Sequence, residues 1–500
     1  MELARHIIGI NITEFAYTYS RIISGVDVSL LGNQLQDIHQ KFSPSSSTSL
    51  VVIPDRNQAE KFSQELKWFL GEPGVGNNST HLHEVVTFFR SEMLPFENLS
   101  PSQIVSCNRL GVLSKLDEEK RLVVITTPDA LSETLVPRRL LSANTVRISV
   151  GQEDIKESLG RTLIALGYTR VSIVEDPGSV SIRGNVIDVF SSGQEKPIRM
   201  EFRGNTLTSI KVFDTGTQRS VASLESTIIP PARELLVSNI DDAIRRVEDR
   251  ACELMVSTRE RELIEESILH NTSWPGIEQL QGLVEEYPST LLEYLPKNTF
   301  VVSVEEIDIQ SNIDRFEELV VEREQKAIAE HRLIPQRSQA FVSANELSKY
   351  ISSQSTLFYS QLNLASSKDG KKSRLDIHNH ELGISGNTSL KDKLKLSKNS
   401  DLPLSPFADY VNNQLSKGIN VIVLASSDSR CERIRSLLQT YKISAIHWDS
   451  DCPSLRFQCT WSAAKPKVYT TTGSLTSGFS IASDKICIVT DSEIFDEVRA

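Results

Sequence analysis

Cysteine pairs, long apolar runs and aromatic residues are absent or scarce here, and each deficit excludes a class of protein. The six cysteines among 500 residues are scattered and form no CxxC pair, so neither a zinc site nor a disulfide framework is expected. No apolar run approaches the roughly 18 residues of a membrane-spanning helix. The N-terminus also lacks an apolar core that ends at a small-residue cleavage site. These features predict a cytoplasmic protein with reduced thiols and no membrane partner.

Positive charge is also in deficit. The sequence has 54 Lys and Arg against 65 Asp and Glu, a net charge of −11, whereas proteins that hold nucleic acid through phosphates present a basic face. Two basic segments, 368–374 and 391–398, contain no aromatic side chain on which a base could stack. Tight DNA binding by these residues is therefore not expected.

The remaining composition is that of an ordinary globular chain, 39% hydrophobic and 24% charged, and its length exceeds that of one core. Buried-strand patterns at Leu50–Ile53 and Leu122–Thr126 alternate with helical patterns at 34–42 and 59–70. Such alternation predicts a parallel α/β sheet. Strand and helix patterns return in the last hundred residues, after a Ser-, Lys- and Asn-rich stretch at 352–405 that we expect to contain mobile loops.

A different pattern occupies the segment between these parts. Three short runs alternate apolar and polar residues, which indicates strands with one buried and one wet face; they are Ser181–Phe190, Pro197–Phe202 and Leu207–Phe213. Gly204–Asn205 suits a type II′ hairpin turn between the last two. The wet faces carry Arg183, Arg199 and Glu201, which is typical of a docking surface and not of a catalytic pocket.

Several segments carry a family resemblance. GYTR from residue 167, with IRGNVIDVF and IRMEF after it, resembles the small inserted domain of the excision-repair helicase UvrB and of the transcription-repair coupling factor (Mfd) family. Other segments resemble the coupling factors in particular, namely 91–102, 109–110, 125–137, 274–296, 418–438 and 486–497. The last two of these segments resemble a third domain that UvrB lacks. The resemblance covers nearly the whole sequence.

The resemblance implies a fold and a set of domains. A degenerate P-loop helicase-like parallel-sheet domain would comprise residues 1–136 and 220–345, interrupted by a small α+β UvrA-binding domain at 137–219. A second, separate α/β domain with mobile N-terminal loops would follow at 346–500. Because the family continues beyond this point, we expect the chain to be a fragment.

The same resemblance implies that the nucleotide site is lost. It places the phosphate loop near Ile23–Leu31, which reads ISGVDVSLL and contains no Lys, although a Lys is needed to reach the β- and γ-phosphates. A chance near-match at Gly71–Gly76 is followed by Asn77, and acidity persists at Val304–Asp308. No cofactor is therefore expected in this region. ATP and Mg²⁺ would bind only in the motor domains of the family, which are not among these residues.

Other candidate sites are incomplete. Two histidine pairs lack a further ligand at recognisable spacing, namely His81 with His83 and His378 with His380 and Glu381. No G-x-S-x-G motif occurs. Asp188 and Glu201 could be read as a catalytic carboxylate pair, but on an exposed small sheet we expect them to pair with the neighbouring arginines.

The UvrA-binding residues are implied by the resemblance. The charged positions matching those with which UvrB-type domains grip UvrA are Arg170, Arg183, Arg199 and Glu201. Phe190 ends the central strand and is included as a contact, although a core position is favoured for it. Ser181 stands where UvrB-like domains often have another Arg, so one charged contact is expected to be lost.

The resemblance also implies a function for the module. It would recruit UvrA to stalled RNA polymerase during transcription-coupled repair and have no ATPase activity, while other domains contact RNA polymerase and DNA. One alternative is an active UvrB-like helicase subunit of nucleotide excision repair. Another is a structural spacer that masks or positions the motor.

Overall fold

The protein is described by a computed structural model. The residues that it describes are 5–8, 12–24, 48–70, 84–118, 122–297, 299–360, 379–380, 384–397, 402–448, 465–482 and 485–495. The predicted helix at 34–42, the phosphate-loop segment after Ser24, and residues 71–76 lie outside them. So do the two histidine pairs, apart from the backbone of His380.

The strands of the described residues belong to three larger sheets and two short ribbons. In chain order they are β1 (Arg5–Ile8), β2 (Thr48–Val52), β3 (Glu84–Phe88), β4 (Leu122–Thr126), β5 (Thr134–Leu135), β6 (Val146–Ser149), β7 (Thr169–Arg170), β8 (Ser179–Arg183), β9 (Val186–Val189), β10 (Ile198–Arg203), β11 (Thr206–Phe213), β12 (Ser220–Leu224), β13 (Ser226–Ile229), β14 (Ser289–Thr290), β15 (Phe300–Val304), β16 (Ser355–Ser360), β17 (Asn379–His380), β18 (Ile384–Gly386), β19 (Asn420–Ala425), β20 (Ala445–His447), β21 (Val468–Thr472), β22 (Phe479–Ile481) and β23 (Ile486–Thr490).

Helices cover the sheets and connect them. They are α1 (Ile12–Ser24), α2 (Arg56–Leu70), α3 (Gln103–Asp117), α4 (Pro128–Ser132), α5 (Arg138–Ala143), α6 (Lys156–Ala165), α7 (Ile240–Leu254), α8 (Thr258–His270), α9 (Gln281–Val284), α10 (Leu291–Tyr294), α11 (Glu306–Ala329), α12 (Arg337–Ala340), α13 (Ala344–Gln354), α14 (Thr388–Ser397), α15 (Ser405–Ser416), α16 (Asp428–Thr440) and α17 (Asp491–Phe495). A 3₁₀ turn at Ile277–Leu280 precedes α9. Within the described residues, no helix is both long and apolar enough to cross a bilayer.

The first sheet is parallel and has the order β17-β1-β16-β15-β2-β4-β3. Strands β2 and β4 are buried along their whole length, because parallel sheets are covered on both faces and select continuous apolar runs. Strands from before and after the inserted unit meet where β15 pairs with β2. The predicted parallel α/β architecture is confirmed.

The inserted unit forms its own sheet, in the order β12-β11-β10-β9-β8-β7. Its pairings are antiparallel except for β7 with β8. Gly204 turns between β10 and β11 with a φ of 62°, which the hairpin turn needs. The unit extends past the predicted end at residue 219, because β12 joins the sheet and β13 pairs with β6. Four of the five β12 residues are exposed, so this strand has no alternating pattern to read.

The C-terminal sheet is mixed, in the order β18-β22-β23-β19-β21-β20. Strands β19 and β23 are buried along their whole length, and α15 and α16 pack beside them in one apolar core. The predicted strand at 420–424 and helix at 428–438 lie within β19 and α16. The four cysteines in the described residues, Cys107, Cys252, Cys431 and Cys487, carry free thiols.

The predicted boundary at residues 345–346 does not coincide with a change of sheet. Strands β16 and β17 both join the first sheet, although their neighbourhood is Ser-rich and was expected to be loop. The two α/β parts also contribute residues to one buried core. Helices α1 and α2 contribute Phe15 and Phe62 to a buried cluster that includes Phe479 from the C-terminal sheet.

Candidate docking surface

The sheet of the inserted unit has two unlike faces. One face, called the inner face, packs on α6: Leu159 and Leu163 of the helix lie in a buried cluster with Ile187 and Met200 of the sheet. The opposite face is called the outer face. Cross-strand register brings two rows of side chains together there, namely Ser181–Asp188–Arg199–Lys211 and Arg183–Val186–Glu201–Ser209. Three of the predicted contact residues therefore share one face.

Asp188 lies at the centre of this face, and its side chain is 1% exposed. Its Oδ2 accepts a hydrogen bond from Arg183 Nη2 at 2.7 Å. Arg199 donates to both carboxylate oxygens, Nε to Oδ1 at 2.8 Å and Nη2 to Oδ2 at 3.0 Å. The hydrogen bond with Asp188 raises the pKa of Arg199. A buried carboxylate is thus compensated by two guanidinium groups, as the sequence predicts for Asp188.

The two arginines differ in what they leave open to a partner. The Arg199 side chain is 21% exposed, and its guanidinium carbon lies 4.6 Å from the centroid of the Phe213 ring. The Arg183 side chain is 52% exposed and uses one terminal nitrogen for Asp188. Gly184, which follows it, has no heavy atom within 4 Å of the position of a Cβ. Arg183 therefore presents the more accessible guanidinium.

Glu201 lies on the outer face, but its partner is a lysine. Glu201 Oε2 accepts hydrogen bonds from Lys211 Nζ at 2.8 Å and from Ser209 Oγ at 2.7 Å. The bond from Lys211 is the main reason why the pKa of Glu201 is lowered. The expected pairing of Glu201 with an arginine is wrong, because antiparallel register sets Ser209 opposite Glu201 and Lys211 on the adjacent diagonal.

Phe190 is 7% exposed and packs with Val174 and Phe213. This small cluster lies beside Arg199, which covers the Phe213 ring. Ser181 is buried and its hydroxyl donates to the Ser172 carbonyl oxygen at 2.9 Å. The core position favoured for Phe190 is therefore the observed one.

Arg170 is exposed but does not join the other arginines. It lies on the short edge strand β7, where register pairs it with Val180. Val180 belongs to the buried cluster of the inner face. Neighbouring residues in a parallel pair point to the same side of the sheet, so Arg170 lies on the side opposite to Arg183.

Lys211 and Ile173 are surface features that the sequence did not reveal. The register between β10 and β11 shifts at Glu201/Phe202, and this bulge changes which residues of β11 face inward. Leu207 and Ile210 are consequently both buried, which simple alternation does not predict. Ile173 is 51% exposed beside Ser172, and a single apolar residue in a loop carries no sequence signal.

The acidic segment after β15 has a structural role in the described residues. Glu305 has a φ of 53° and precedes α11, and its Oε2 accepts a hydrogen bond from Ser360 Oγ at 2.8 Å. No group of His, Cys, Asp or Glu side chains suited to a metal ion occurs within the described ranges.

Comparisons with known proteins agree with this architecture. The sequence model of the family described as "UvrB interaction domain" matches residues 146–235. The transcription-repair-coupling factor of Myxococcus xanthus is 26% identical over 89% of this chain and 37% of its own length. That of Bacillus subtilis is 24% identical over 89% of this chain and 36% of its length, and that of Escherichia coli is 28% identical over 48% and 21%.

The chain therefore spans little more than a third of the length of the Myxococcus xanthus and Bacillus subtilis relatives. Among solved structures, the helicase domain of Pyrococcus furiosus Hef aligns with 94% of this chain and 82% of its own at 10% identity, with a TM-score of 0.13 that is too low to bear on the fold. The resemblance seen in the sequence is confirmed: residues 146–235 match the model of the UvrB interaction domain, and 89% of the chain is similar to transcription-repair-coupling factors.

Proposed function

We propose that this chain recruits UvrA in the cytoplasm, as the N-terminal module of a bacterial transcription-repair coupling factor, and that UvrA docks on the outer face of the inserted sheet. One observation carries the proposal. Arg183 projects a half-exposed guanidinium from a rigid strand and is oriented by the buried carboxylate of Asp188. The residues lie within the part of the chain that matches the UvrB interaction domain.

The chemistry of the face predicts the groups that it contacts. Arginine pairs bidentately with carboxylates and is enriched among residues that dominate binding energy. Arg183 therefore suits an acidic group of the partner. Glu201 and Lys211, with side chains 39% and 33% exposed, add a mixed-charge rim, and half-buried Val186 lies between Arg183 and Glu201.

We expect the 500-residue chain to have no ATPase activity. This expectation is supported by the sequence of Ile23–Leu31, the segment that corresponds to the phosphate loop, which has no Lys to contact the phosphates. ATP, Mg²⁺, DNA and RNA polymerase would be contacted by other domains of the family.

Titration of UvrA with the 500-residue chain tests the docking surface. Arg183→Glu reverses the accessible charge, and we expect its affinity for UvrA to fall more than tenfold, since truncation of a hot-spot side chain costs about 2 kcal/mol or more. Arg161→Glu is the matched control: Arg161 is an exposed arginine on α6, the helix that covers the inner face. This variant should bind as tightly as the parent.

Circular dichroism of each variant separates loss of binding from loss of fold. Failure of the folded parent chain to bind UvrA would contradict the proposed function. Parental affinity in a folded Arg183→Glu protein would contradict the assignment of the outer face while leaving UvrA binding elsewhere on the chain in place.

A further inference from the structure

We propose that Asp188 is the positioning residue of the docking surface, and that it divides the roles of the two arginines, so that Arg199 braces the site and Arg183 contacts the partner. This inference rests on the proposed binding of UvrA for its effect on affinity. The arrangement of the side chains supports it independently.

The carboxylate of Asp188 lies between the guanidinium groups of two arginines. Asp188 lies on β9, while Arg183 and Arg199 lie on the strands at either side of it, β8 and β10. Both arginines donate to the carboxylate at 3.0 Å or less. Because Asp188 is 1% exposed, it has little surface for a partner of its own and acts only through the arginines.

The two arginines differ in how many hydrogen-bond donors they leave for a partner. Arg199 uses Nε and Nη2 for Asp188, covers the Phe213 ring, and directs its terminal nitrogens at 3.4 Å towards Gln218. Few of its donors remain for a partner. Arg183 makes one bond to Asp188 and is 52% exposed, so its guanidinium is held at one end and open at the other.

Holding Arg183 in place lowers the entropic cost of binding. An arginine side chain loses rotamer freedom when a partner immobilises it, and a side chain that is already held loses less. Asp188 fixes the direction of Arg183 before UvrA arrives. Removing the negative charge of Asp188 weakens its hold on both guanidinium groups, so the surface gains net positive charge but the direction of Arg183 is no longer fixed.

The test is a double-mutant cycle on UvrA affinity. Asp188→Asn keeps the shape and the Oδ1 acceptor but removes the charge, and we expect a loss of affinity of about 3- to 10-fold. Arg183→Ala should weaken binding strongly in the parent and much less in the Asp188→Asn background, because the two residues act as one unit. Unchanged or tighter binding by Asp188→Asn, or an additive cycle, would overturn the inference.

A second pair of variants covers the case in which Asp188→Asn does not fold. Arg183→Lys and Arg199→Lys both keep the charge and lose the planar fork. If Arg199 is the brace, Arg199→Lys should weaken UvrA binding no more than about twofold, while Arg183→Lys weakens it at least fivefold. An equal or larger loss for Arg199→Lys would show that the roles are not divided in this way.

Nuclear magnetic resonance of the ¹⁵N-arginine-labelled chain tests the positioning without UvrA. The Nε–H of Arg199 donates to Asp188 Oδ1, so its proton should exchange slowly with water in the parent and rapidly in Asp188→Ala, which removes both carboxylate oxygens. The control is Asp176→Ala, at an exposed aspartate of the same inserted unit. Slow exchange in Asp188→Ala would overturn the inference even if the chain did not bind UvrA.

Discussion

Arg109 belongs to a segment that marks the family resemblance, yet in the structure it is a buried structural residue. Its Nη2 donates to Glu133 at 2.9 Å, its Nε to Glu234 at 3.1 Å, and its Nη1 to the Phe89 carbonyl oxygen at 2.6 Å. Burial raises the pKa of Glu133, and the charge of Arg109 opposes that shift. Glu133 precedes the inserted unit and Glu234 follows it. The Arg109 guanidinium therefore acts as a clamp that joins the segment entering the unit to the segment leaving it.

Replacing Arg109 should be costly. Arg109→Met removes the cation from Glu133 and Glu234, whose side chains are only 15% and 19% exposed, so we expect the free energy of unfolding to fall by about 3–5 kcal/mol, measured by urea denaturation. Lys326→Ala is the control, because Lys326 is 57% exposed and pairs with Glu330 at 4.0 Å on one helix; it should change stability by less than about 0.5 kcal/mol. A similar small change for Arg109→Met would show that the clamp is dispensable.

At this scale the sequence predicts residue types better than partners. The alternation in β8 and β10 placed Arg183 and Arg199 on a wet face, and Asp188 pairs with them as expected. The partner of Glu201 was missed, because a bulge changes the phase of β11. The partners of Arg109 are far away in the sequence, and only the tertiary fold brings them together.

Helix α3 seats the inserted unit on the first domain. Gln103 Nε2 donates to the carbonyl oxygens of Gly167 and Gly178 at 2.9 Å. Further along the helix, a Cβ added to Gly111 would lie 2.1 Å from the Gly193 Cα. Contact this close between two backbones requires glycine, and it fixes the docking surface relative to the first domain.

Gly111→Ala tests this contact. Alanine stabilises an ordinary helix position by about 1 kcal/mol relative to glycine, but here the new methyl group meets backbone, and we expect net destabilisation of about 1–3 kcal/mol. Gly160→Ala in α6 is the matched control, because its Cβ would meet only the Ile182 Cδ1 at 2.9 Å, which can move. A control that loses as much stability as Gly111→Ala would refute the close-contact explanation.

Glu65 of α2 is buried where the first domain meets the C-terminal sheet. It accepts hydrogen bonds from Thr13 Oγ1 at 3.0 Å and from the Thr476 backbone N–H at 2.6 Å. Burial raises the pKa of Glu65 above its usual 4.5, and the bonds from Thr476 and Thr13 and the charge of Lys61 oppose the shift. Ionisation of buried Glu65 therefore destabilises the folded chain, although the bonds from Thr476 and Thr13 offset part of that effect.

The raised pKa predicts a pH dependence with a definite sign. Below about 4.5 the carboxyl is protonated in both the folded and the unfolded chain and costs nothing. As the pH rises, the unfolded chain ionises first, so the free energy of unfolding falls until the folded pKa is passed. Glu65→Gln lacks this contribution, so its stability relative to the parent should increase between pH 4 and 8.

Denaturation midpoints across that pH range check the prediction. Glu60→Gln is the control for loss of one carboxylate from the same helix, since the Glu60 side chain is 45% exposed. A pH-independent difference between Glu65→Gln and the parent would show that the Glu65 carboxyl does not titrate abnormally.

Element prediction succeeded where burial leaves a pattern. Strands β2, β4 and β19 are buried on both faces and appear as continuous apolar runs. Strand β12 is exposed and β16 follows a Ser-rich stretch, so neither was predicted. Their assignment depends on the neighbouring strands to which they pair, and sequence alone does not identify those neighbours.

For the whole molecule, the sequence predicted a discontinuous first domain and an inserted unit, but it did not predict a shared core. Phe479 packs against Tyr17 and Phe69 with ring centroids 5.3 and 6.3 Å apart, which joins the C-terminal sheet to α1 and α2. Apolar residues on a strand face do not reveal which other element they pack against, so this join could not be predicted from the sequence.

The nucleotide prediction also belongs to the whole molecule. We expect no change in Tm when Mg-ATP is added to the 500-residue chain and no ATP hydrolysis above a blank. A ligand at 100 times its Kd adds about 2.7 kcal/mol of stability, so binding would be easily seen by differential scanning calorimetry. A saturable rise in Tm, with an active P-loop ATPase run in parallel as the positive control, would restore the alternative of an active UvrB-like helicase.

The discontinuous first sheet has a consequence for the growing polypeptide. Leu50 of β2 pairs with Val301 of β15, so this sheet cannot close during translation until the whole inserted unit has left the ribosome. The sheet that carries the docking surface pairs only within β7–β12, and such local contacts form early. On the nascent chain the sheet of the inserted unit is therefore complete while β2 and β4 still expose their apolar faces, and we expect those two strands to be where the unfinished protein needs chaperone protection.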